Sequence, residues 1–423
     1  MYGWTGKILK IDLTEAKTEV LRPDKEVYQK NIGGKGLAGY YLKDRITESW
    51  DSPDIPILFF TGPLVNTLSP TSGRMTIMSR SPLTGTVCDT SAGGRLGTEL
   101  KKAGWDGVMI TGKSRNLCGI EIADTEIRFV DAGSLKNRNI NQIASGFNSN
   151  VSYAVTGPAA DNGVLFANIC LDRSFFAGRG GLGLVMAGKN LKFITVRGSG
   201  KTRIYNRQVL LKAREDIFRL VSASPVLKGE FGISNYGTGA LYDLISERRA
   251  MPTLNFRKTY FENAGNMNSW NYKKRFGYKK AGCSGCHILC KRRDKNNQEL
   301  PEFETMSHFS ALINNKDIHI VKEANRLCNE AGLDTISMAS TLACYMELNH
   351  KNLTGDEILQ LIKDTSLSRG EGRMLKLGSA RLSTNAKQAS MTVKKLELPA
   401  YDPRGVYGMA LAYATSTRGG CHL

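Results

Sequence analysis

The segment Cys283-Ser284-Gly285-Cys286-His287-Ile288-Leu289-Cys290 places three thiols at C-x2-C-x3-C spacing. Thiolates are soft ligands, and such a clamp suits an iron-sulfur cluster or a zinc ion, each of which normally takes four protein ligands. The motif is one ligand short, and both readings stay open at this point. His287 is a zinc ligand by type, but its adjacency to Cys286 makes wrapping a single ion awkward. The reverse order, C-x3-C-x2-C, would suggest a radical enzyme with one open cluster iron, and this chain does not have it. The remaining six cysteines (Cys88, Cys118, Cys170, Cys328, Cys344 and Cys421) are scattered and read as small buried hydrophobes.

At 423 residues the chain has the length of two or three domains and can bury a large core. It shows no secretory leader and no apolar run of roughly 18 residues, so neither secretion nor a membrane span is expected. A cytoplasmic setting follows, where thiols stay reduced and clustered cysteines point to metal rather than disulfide. Lys and Arg number 58 against 39 Asp and Glu, a formal charge of +19. Such a field favours anionic partners: phosphorylated cofactors, an acidic protein or nucleic acid. Nucleic acid is set aside, because the basic residues are dispersed and no recognition helix, RNA-binding sheet or zinc finger accompanies them. An absent acidic portion of the polypeptide would account for the excess equally well.

The elements that must hold the cysteines fall into two grammars. Up to about residue 202 the pattern is strand-like: 7–13 alternates at period two, 13–17 turns and 18–21 returns. Short runs of the same kind recur at 57–61, 74–79, 108–111, 120–122 and 193–197. Glycine clusters at 33–36, 93–94 and 178–181 punctuate them, either as tight turns or as backbone cradles for phosphate. Gly178-x-Gly180-x-x-Gly183 matches a dinucleotide fingerprint, but 172–176 makes a poor buried strand and Arg203 stands near the position of the expected ribose-binding acid. A Rossmann site is not expected. From 203 the apolar spacing becomes helical, at 207–222, 321–331, 337–348 and 356–362, the last with Thr354 as N-cap. The cysteine triplet is expected in a loop between helical segments.

The motifs taken in order resemble the tungsten-containing aldehyde ferredoxin oxidoreductase family along the whole chain. They are Met1-Tyr2-Gly3-Trp4-Thr5-Gly6-Lys7, Gly62-Pro63-Leu64, Pro70-Thr71-Ser72-Gly73-Arg74, Ser81-Pro82-Leu83-Thr84-Gly85, Ala177-Gly178-Arg179-Gly180-Gly181, Lys189-Asn190-Leu191-Lys192, Glu330-Ala331-Gly332-Leu333-Asp334 and the stretch 393–405. The resemblance implies an α+β fold: a β-rich domain over 1–202 forming the base for a tungsten (or molybdenum) bis-pterin cofactor, a mainly helical domain over 203–397, and the start of a third, helical domain over 398–423.

It further implies a [4Fe-4S] cluster on Cys283, Cys286 and Cys290, and pterin contacts from Arg74, from Ser91, Ala92, Gly93 and Gly94, and from Arg179 and Gly180. Magnesium bridging the pterin phosphates belongs to the same expectation. The family's D-x-x-G-L-D pterin pattern reads Asn329-Glu330-Ala331-Gly332-Leu333-Asp334 here, so Asp334 keeps the second acid while Asn329 puts an amide in place of the first. Asp334 is equally a helix N-cap by position. Glu304 and His422 match the carboxylate and imidazole facing the metal, with Glu302 as the competing carboxylate. The implied reaction is oxidation of a small aldehyde to a carboxylic acid, with electrons passing to ferredoxin, for which a basic surface would help steering. An aromatic thioester (benzoyl-CoA type) reductase subunit and a cofactor-free fragment are the alternatives.

Two departures bear on partners. Where some members hold an E-x-x-H pair at a subunit-bridging metal, this chain has Glu323-Ala324-Asn325-Arg326, so a homodimer rests on other contacts if it forms. The chain stops after Arg418-Gly419-Gly420-Cys421-His422-Leu423, where the family pattern continues with a second pterin motif and a fourth cluster cysteine. The expectation is an interrupted reading frame, with a separate chain as one source of the missing part and Cys328 or Cys421 as poor substitutes for the fourth thiolate.

Overall fold

The computed structural model describes residues 1–422, which form two compact units. Unit one comprises Met1–Asp161, Ala167–Leu220 and Cys283–His287; unit two comprises Asn162–Phe166, Val221–Gly282 and Ile288–Leu423.

Unit one is built on two six-stranded mixed sheets. In the first, β1 (Ile8–Asp12), β2 (Lys17–Leu21), β3 (Ile57–Thr61), β4 (Met75–Arg80), β5 (Val87–Ala92) and β6 (Gly107–Thr111) lie in the order β2-β1-β6-β3-β4-β5. In the second, β7 (Cys118–Ala123), β8 (Glu126–Asp131), β9 (Ser152–Thr156), β10 (Ile169–Leu171), β11 (Phe175–Ala177) and β12 (Leu191–Arg197) lie in the order β11-β10-β9-β12-β7-β8. Among the described residues, only β1–β6 and β7–β12 pair in parallel.

Strand periodicity explains the layering, because successive side chains leave a strand on opposite faces. Leu9, Ile11, Ile57 and Phe59 enter one large core together with Ile120, Ala154, Ile194 and Val196 of the second sheet. Their neighbours Ile8, Leu58 and Phe60 turn to the opposite face, against Tyr28, Leu37 and Leu42. Tyr153, Val155 and Phe193 likewise cover the outer face of the second sheet with Ile140 and Ile143. One central core and two flanking cores thus follow from period-two runs that are apolar on both faces.

The Lys189-Asn190-Leu191-Lys192 motif has a structural role. Lys189 Nζ donates to the carbonyls of Pro53 (3.0 Å) and Gly112 (3.3 Å), and Lys192 Nζ pairs with Asp161 at 2.6 Å, with both lysines buried. Burial pushes the Lys189 ammonium down to about 8, against the smaller opposing pull of Asp54 and Asp12.

Unit two is mainly helical. Ile318–Ala331, Thr335–Leu348 and Gly355–Leu367 are its long helices, and Thr354 caps the last through a capping box with Glu357, as its sequence position indicates. Two sequence expectations change. The segments flanking the cysteine motif are strands rather than helices: β13 (Lys279–Ala281) pairs antiparallel with β14 (Lys291–Arg293), closing the motif into the loop of a small ladder. A ladder built almost wholly of Lys and Arg has no hydrophobic alternation to reveal it. The stretch dismissed as a poor strand contains β11, which folds back on β10 through Asp172 and Arg173, both at positive φ. The glycine motif that follows therefore leaves an antiparallel edge hairpin, the wrong setting for a dinucleotide fingerprint.

Candidate functional site

In unit two, Glu304 lies in the first turn of the helix Phe303–Ser307, which widens into a π-helical turn at His308–Leu312. Such turns recur at functional sites. Glu304 Oε2 accepts a hydrogen bond from the backbone N–H of Ala400 at 2.8 Å, and Oε1 lies 3.6 Å from His422 Nε2. The structure therefore brings together the two residues that the resemblance matches to the carboxylate and imidazole facing the metal. Glu302, the competing carboxylate, is drawn away to Lys291 at 2.9 Å. Tyr401 packs its ring 5.7 Å from the His422 ring, and burial, followed by the nearby Glu304 charge, raises its hydroxyl pKa.

Sequence reasoning missed His308. It is buried, its Nδ1 is 2.9 Å from the Glu304 carbonyl oxygen and its Nε2 is 3.1 Å from that of Leu398. A neutral imidazole has one N–H and can donate to only one of these acceptors. Its Nδ1 also stands 3.9 Å from Glu304 Oε2, so the carboxylate lies between two histidines. The i, i+4 relation of Glu304 to His308 was the available signal. Cys421, beside His422, is buried and receives the Arg418 guanidinium through Nε at 3.0 Å and Nη2 at 2.5 Å.

The Gly332-Leu333-Asp334 segment is a helix-to-helix junction. Gly332 ends one helix in the left-handed region (φ 76°), and the Leu333 amide closes the turn on Cys328 O at 2.8 Å. Asp334 then caps the next helix, accepting from the amides of Ile336 and Ser337 and from Ser337 Oγ at 2.7 Å. Ser337 Oγ lies 2.8 Å from Oε2 of the buried Glu397. Asn329 sits at the end of the preceding helix, where its carbonyl accepts the Gly332 amide.

In unit one, the pairing of β4 with β5 sets Thr76 opposite Ser91, and Arg74, just ahead of β4, reaches across to Ser91. Its Nε donates to Ser91 Oγ at 2.9 Å and its Nη2 to the Ser91 carbonyl; Nη1 enters none of the described hydrogen bonds. Ala92, Gly93 and Gly94 are buried, as are Arg179 and Gly180. The glycines give room to the protein's own atoms. A Cβ on Gly93 would stand 2.3 Å from Cys283 Sγ, and one on Gly180 2.4 Å from Cys88 Sγ. The Ser284 amide donates to Gly94 O at 3.3 Å and the Thr71 amide to Gly285 O at 3.3 Å, so the first half of the cysteine motif lies directly on these turns. Cys283 and Cys286 are half-buried and joined by a Cys286 N–H to Cys283 O hydrogen bond of 3.1 Å. Cys290 is also half-buried and belongs to unit two.

Family models for the aldehyde ferredoxin oxidoreductase N-terminal domain and for its domains 2 and 3 match residues 8–198 and 212–423. The chain belongs to the aldehyde ferredoxin oxidoreductase family. It is accordingly an oxidoreductase of that type. Among its relatives, the tungsten-containing aldehyde ferredoxin oxidoreductase of Pyrococcus furiosus is 36% identical over all of this chain and 74% of that protein. The enzyme of the same name from Thermococcus kodakarensis is 35% identical over the same shares. A solved structure titled the active site complex BamBC of benzoyl coenzyme A reductase in complex with 1,5-dienoyl-CoA shares the fold, with a TM-score of 0.85 over 95% of this chain and 66% of that one at 22% identity. Among the described residues, no helix is long and apolar enough to cross a membrane.

The family implies a tungsten-pterin cofactor, and the residues present fit one in kind. Arg74 Nη1, which enters none of the described hydrogen bonds, is a cationic donor suited to an anionic heterocycle. For a cluster the three thiols are right in type, yet among the described residues no three His, Cys, Asp or Glu side chains converge as a metal site.

Proposed function

We propose that the chain oxidises a small aldehyde to the carboxylic acid at a tungsten (or molybdenum) bis-pterin centre and passes the electrons to ferredoxin by way of a [4Fe-4S] cluster in the cytoplasm. Arg74, Ser91, Ala92, Gly93, Gly94, Arg179, Gly180, Asn329 and Asp334 are the pterin-binding residues of this reading, with magnesium as an optional bridge. Cys283, Cys286 and Cys290 are its cluster ligands. When bound, the tungsten centre supplies the two-electron redox chemistry.

The observation that carries the reading is the Glu304–His422 pair on a family chain: a carboxylate fixed by the Ala400 amide and facing an imidazole at 3.6 Å. Conversion of an aldehyde and water to a carboxylate releases two electrons and three protons. A carboxylate and an imidazole side by side can accept a proton from the attacking water and hand it on. Cys328, the first substitute considered for the fourth cluster ligand, is fully buried, and burial raises its thiol pKa; that disfavours the thiolate a cluster needs.

The test is anaerobic purification, metal and pterin analysis, and aldehyde-dependent reduction of benzyl viologen. Glu304→Gln is expected to lower kcat by about 10²- to 10⁴-fold at unchanged cofactor content. Wild-type turnover in that variant, or a protein that takes up no tungsten, molybdenum or pterin, refutes the reading. A second reading, a catalytic subunit acting on an aromatic thioester, draws support from the benzoyl coenzyme A reductase neighbour. Aldehyde turnover with no activity on an aromatic CoA thioester decides against it.

A further inference from the structure

The backbone of the third cysteine is covered, within unit two, by the segment 231–237, which includes the short helix Ile233–Tyr236. Ser234 Oγ donates to Ile288 O at 2.9 Å, and Arg292 Nη2 donates to Ile233 O at 2.8 Å. Gly237, at φ 70°, sits so close that a Cβ there would meet the Cys290 carbonyl oxygen at 2.9 Å. This segment carries an exposed aromatic side chain. Phe231 is 71% exposed and stacks on Tyr236 with ring centroids 6.3 Å apart.

Two cations stand beside that ring pair. Lys273 Nζ stands over Tyr236 at 4.9 Å, and Lys280 Nζ, on β13, reaches Asn235 Oδ1 at 3.2 Å. Lys274, Arg275 and Lys279 continue the exposed basic run, and none of these five side chains has an ion-pair partner among the described residues. Exposed Glu230 precedes the segment, and exposed Asp243 accepts a hydrogen bond from Asn268, the N-cap of the helix that carries Lys273, at 3.0 Å. The face thus combines an aromatic anchor with a cationic rim, the anatomy of a protein-docking patch, and it is fixed by hydrogen bonds to the residues just before and after Cys290.

We propose that this face, centred on Phe231, which the buried Tyr236 backs, with Lys273 and Lys280 at its rim, docks an acidic protein carrying a one-electron centre. The proposal rests on the electron-transfer reading of the cysteine motif and says where that exchange takes place. An electron crosses more readily over a short gap, and a carrier seated here would be separated from the backbone of Cys290 only by the segment 231–237 that covers it. The unpaired lysines draw an acidic carrier in and orient it, and the exposed ring supplies the desolvated contact that a purely charged face lacks.

The test uses the full chain and a ferredoxin of net negative charge. Three proteins are compared with the wild type: Phe231→Ala, the double variant Lys273→Glu/Lys280→Glu, and the control Lys136→Glu on an exposed lysine of unit one. Equilibrium binding of the ferredoxin is measured by calorimetry at low and moderate salt. In the anaerobically prepared holoenzyme, reduction of ferredoxin is compared with reduction of benzyl viologen. The double variant is expected to lose about tenfold or more in binding and in the rate with ferredoxin at low salt, a gap that narrows as salt rises, with viologen reduction unchanged. Phe231→Ala is expected to weaken binding at every salt concentration, and Lys136→Glu to change little. Wild-type ferredoxin binding in both patch variants overturns the proposal, as does patch-dependent binding of an RNA homopolymer tighter than that of the ferredoxin. Loss of viologen reduction in the wild type would count against the proposed function alone, because the binding arm reports on the face without turnover.

Discussion

Substituting Gly93 by alanine probes the contact that joins the first sheet to the cysteine motif. The added Cβ would lie 2.3 Å from Cys283 Sγ and 2.9 and 3.3 Å from two ring carbons of Phe175. Carbon pairs are comfortable at about 3.5–4.0 Å, so both neighbours must move by several tenths of an ångström or more. The thiol can yield by rotating about χ1, which takes it off its present line, but the Phe175 ring is tied to β11 and is also 3.2 Å from the corresponding position on Gly94. Overpacking of this kind costs about 1–3 kcal/mol. Gly178 is the control: no atom lies within 4 Å of its Cβ position, and alanine there is expected to stay within about 0.5 kcal/mol of the wild type. Denaturant unfolding reads the stability, and the rate of alkylation of Cys283, followed by peptide mass spectrometry, reads the thiol's displacement. If Gly93→Ala unfolds at the wild-type midpoint and Cys283 is alkylated at the wild-type rate, the close approach of motif and turn is wrong.

Two further outcomes follow from buried polar groups. Lys189 titrates near 8 in the folded chain because of burial, below its value of about 10.4 when unfolded, so between those limits the unfolded state holds the extra proton. Its contribution to stability therefore rises with pH across that window, by about 1.4 kcal/mol per unit at most, and Lys189→Met is expected to flatten the pH dependence of the unfolding free energy from 8 to 10. Asp334→Ala removes a buried N-cap and is expected to cost about 1–2 kcal/mol in denaturant unfolding, whereas Asp334→Asn keeps a capping oxygen and is expected to cost less than half of that. Lower pterin content in Asp334→Asn at near-wild-type stability would separate the cofactor role from the capping role, and equal pterin content would leave the cap as its function.

Parts of the molecule were legible in the sequence because their cause is local. Residues 57–61 form β3 as read, since an apolar run bounded by turn residues is a strand signal by itself. Thr354 caps its helix because the capping box needs only Thr354 and Glu357. The pairing of Glu304 with His422 came from motif resemblance, and the geometry added His308, whose role depends on Leu398 O, 90 residues away. The β13–β14 ladder left no trace in the pattern, because its strands are stabilised by backbone hydrogen bonds and carry charged side chains.

By itself, then, the sequence determined which stretches alternate, where helices begin, which thiols cluster and, through its ordered motifs, the oxidoreductase family. Those features depend on neighbours a few residues apart, and period and side-chain type are enough to read them. Only the tertiary structure decided what each special residue touches. Gly93 leaves room for Cys283, Lys192 is buried beside its partner Asp161, and Gly237 leaves room for the Cys290 carbonyl. Such contacts arise when sheet order and chain reversal bring distant backbones within a few ångströms, and that juxtaposition is fixed by packing the whole core rather than by any one segment.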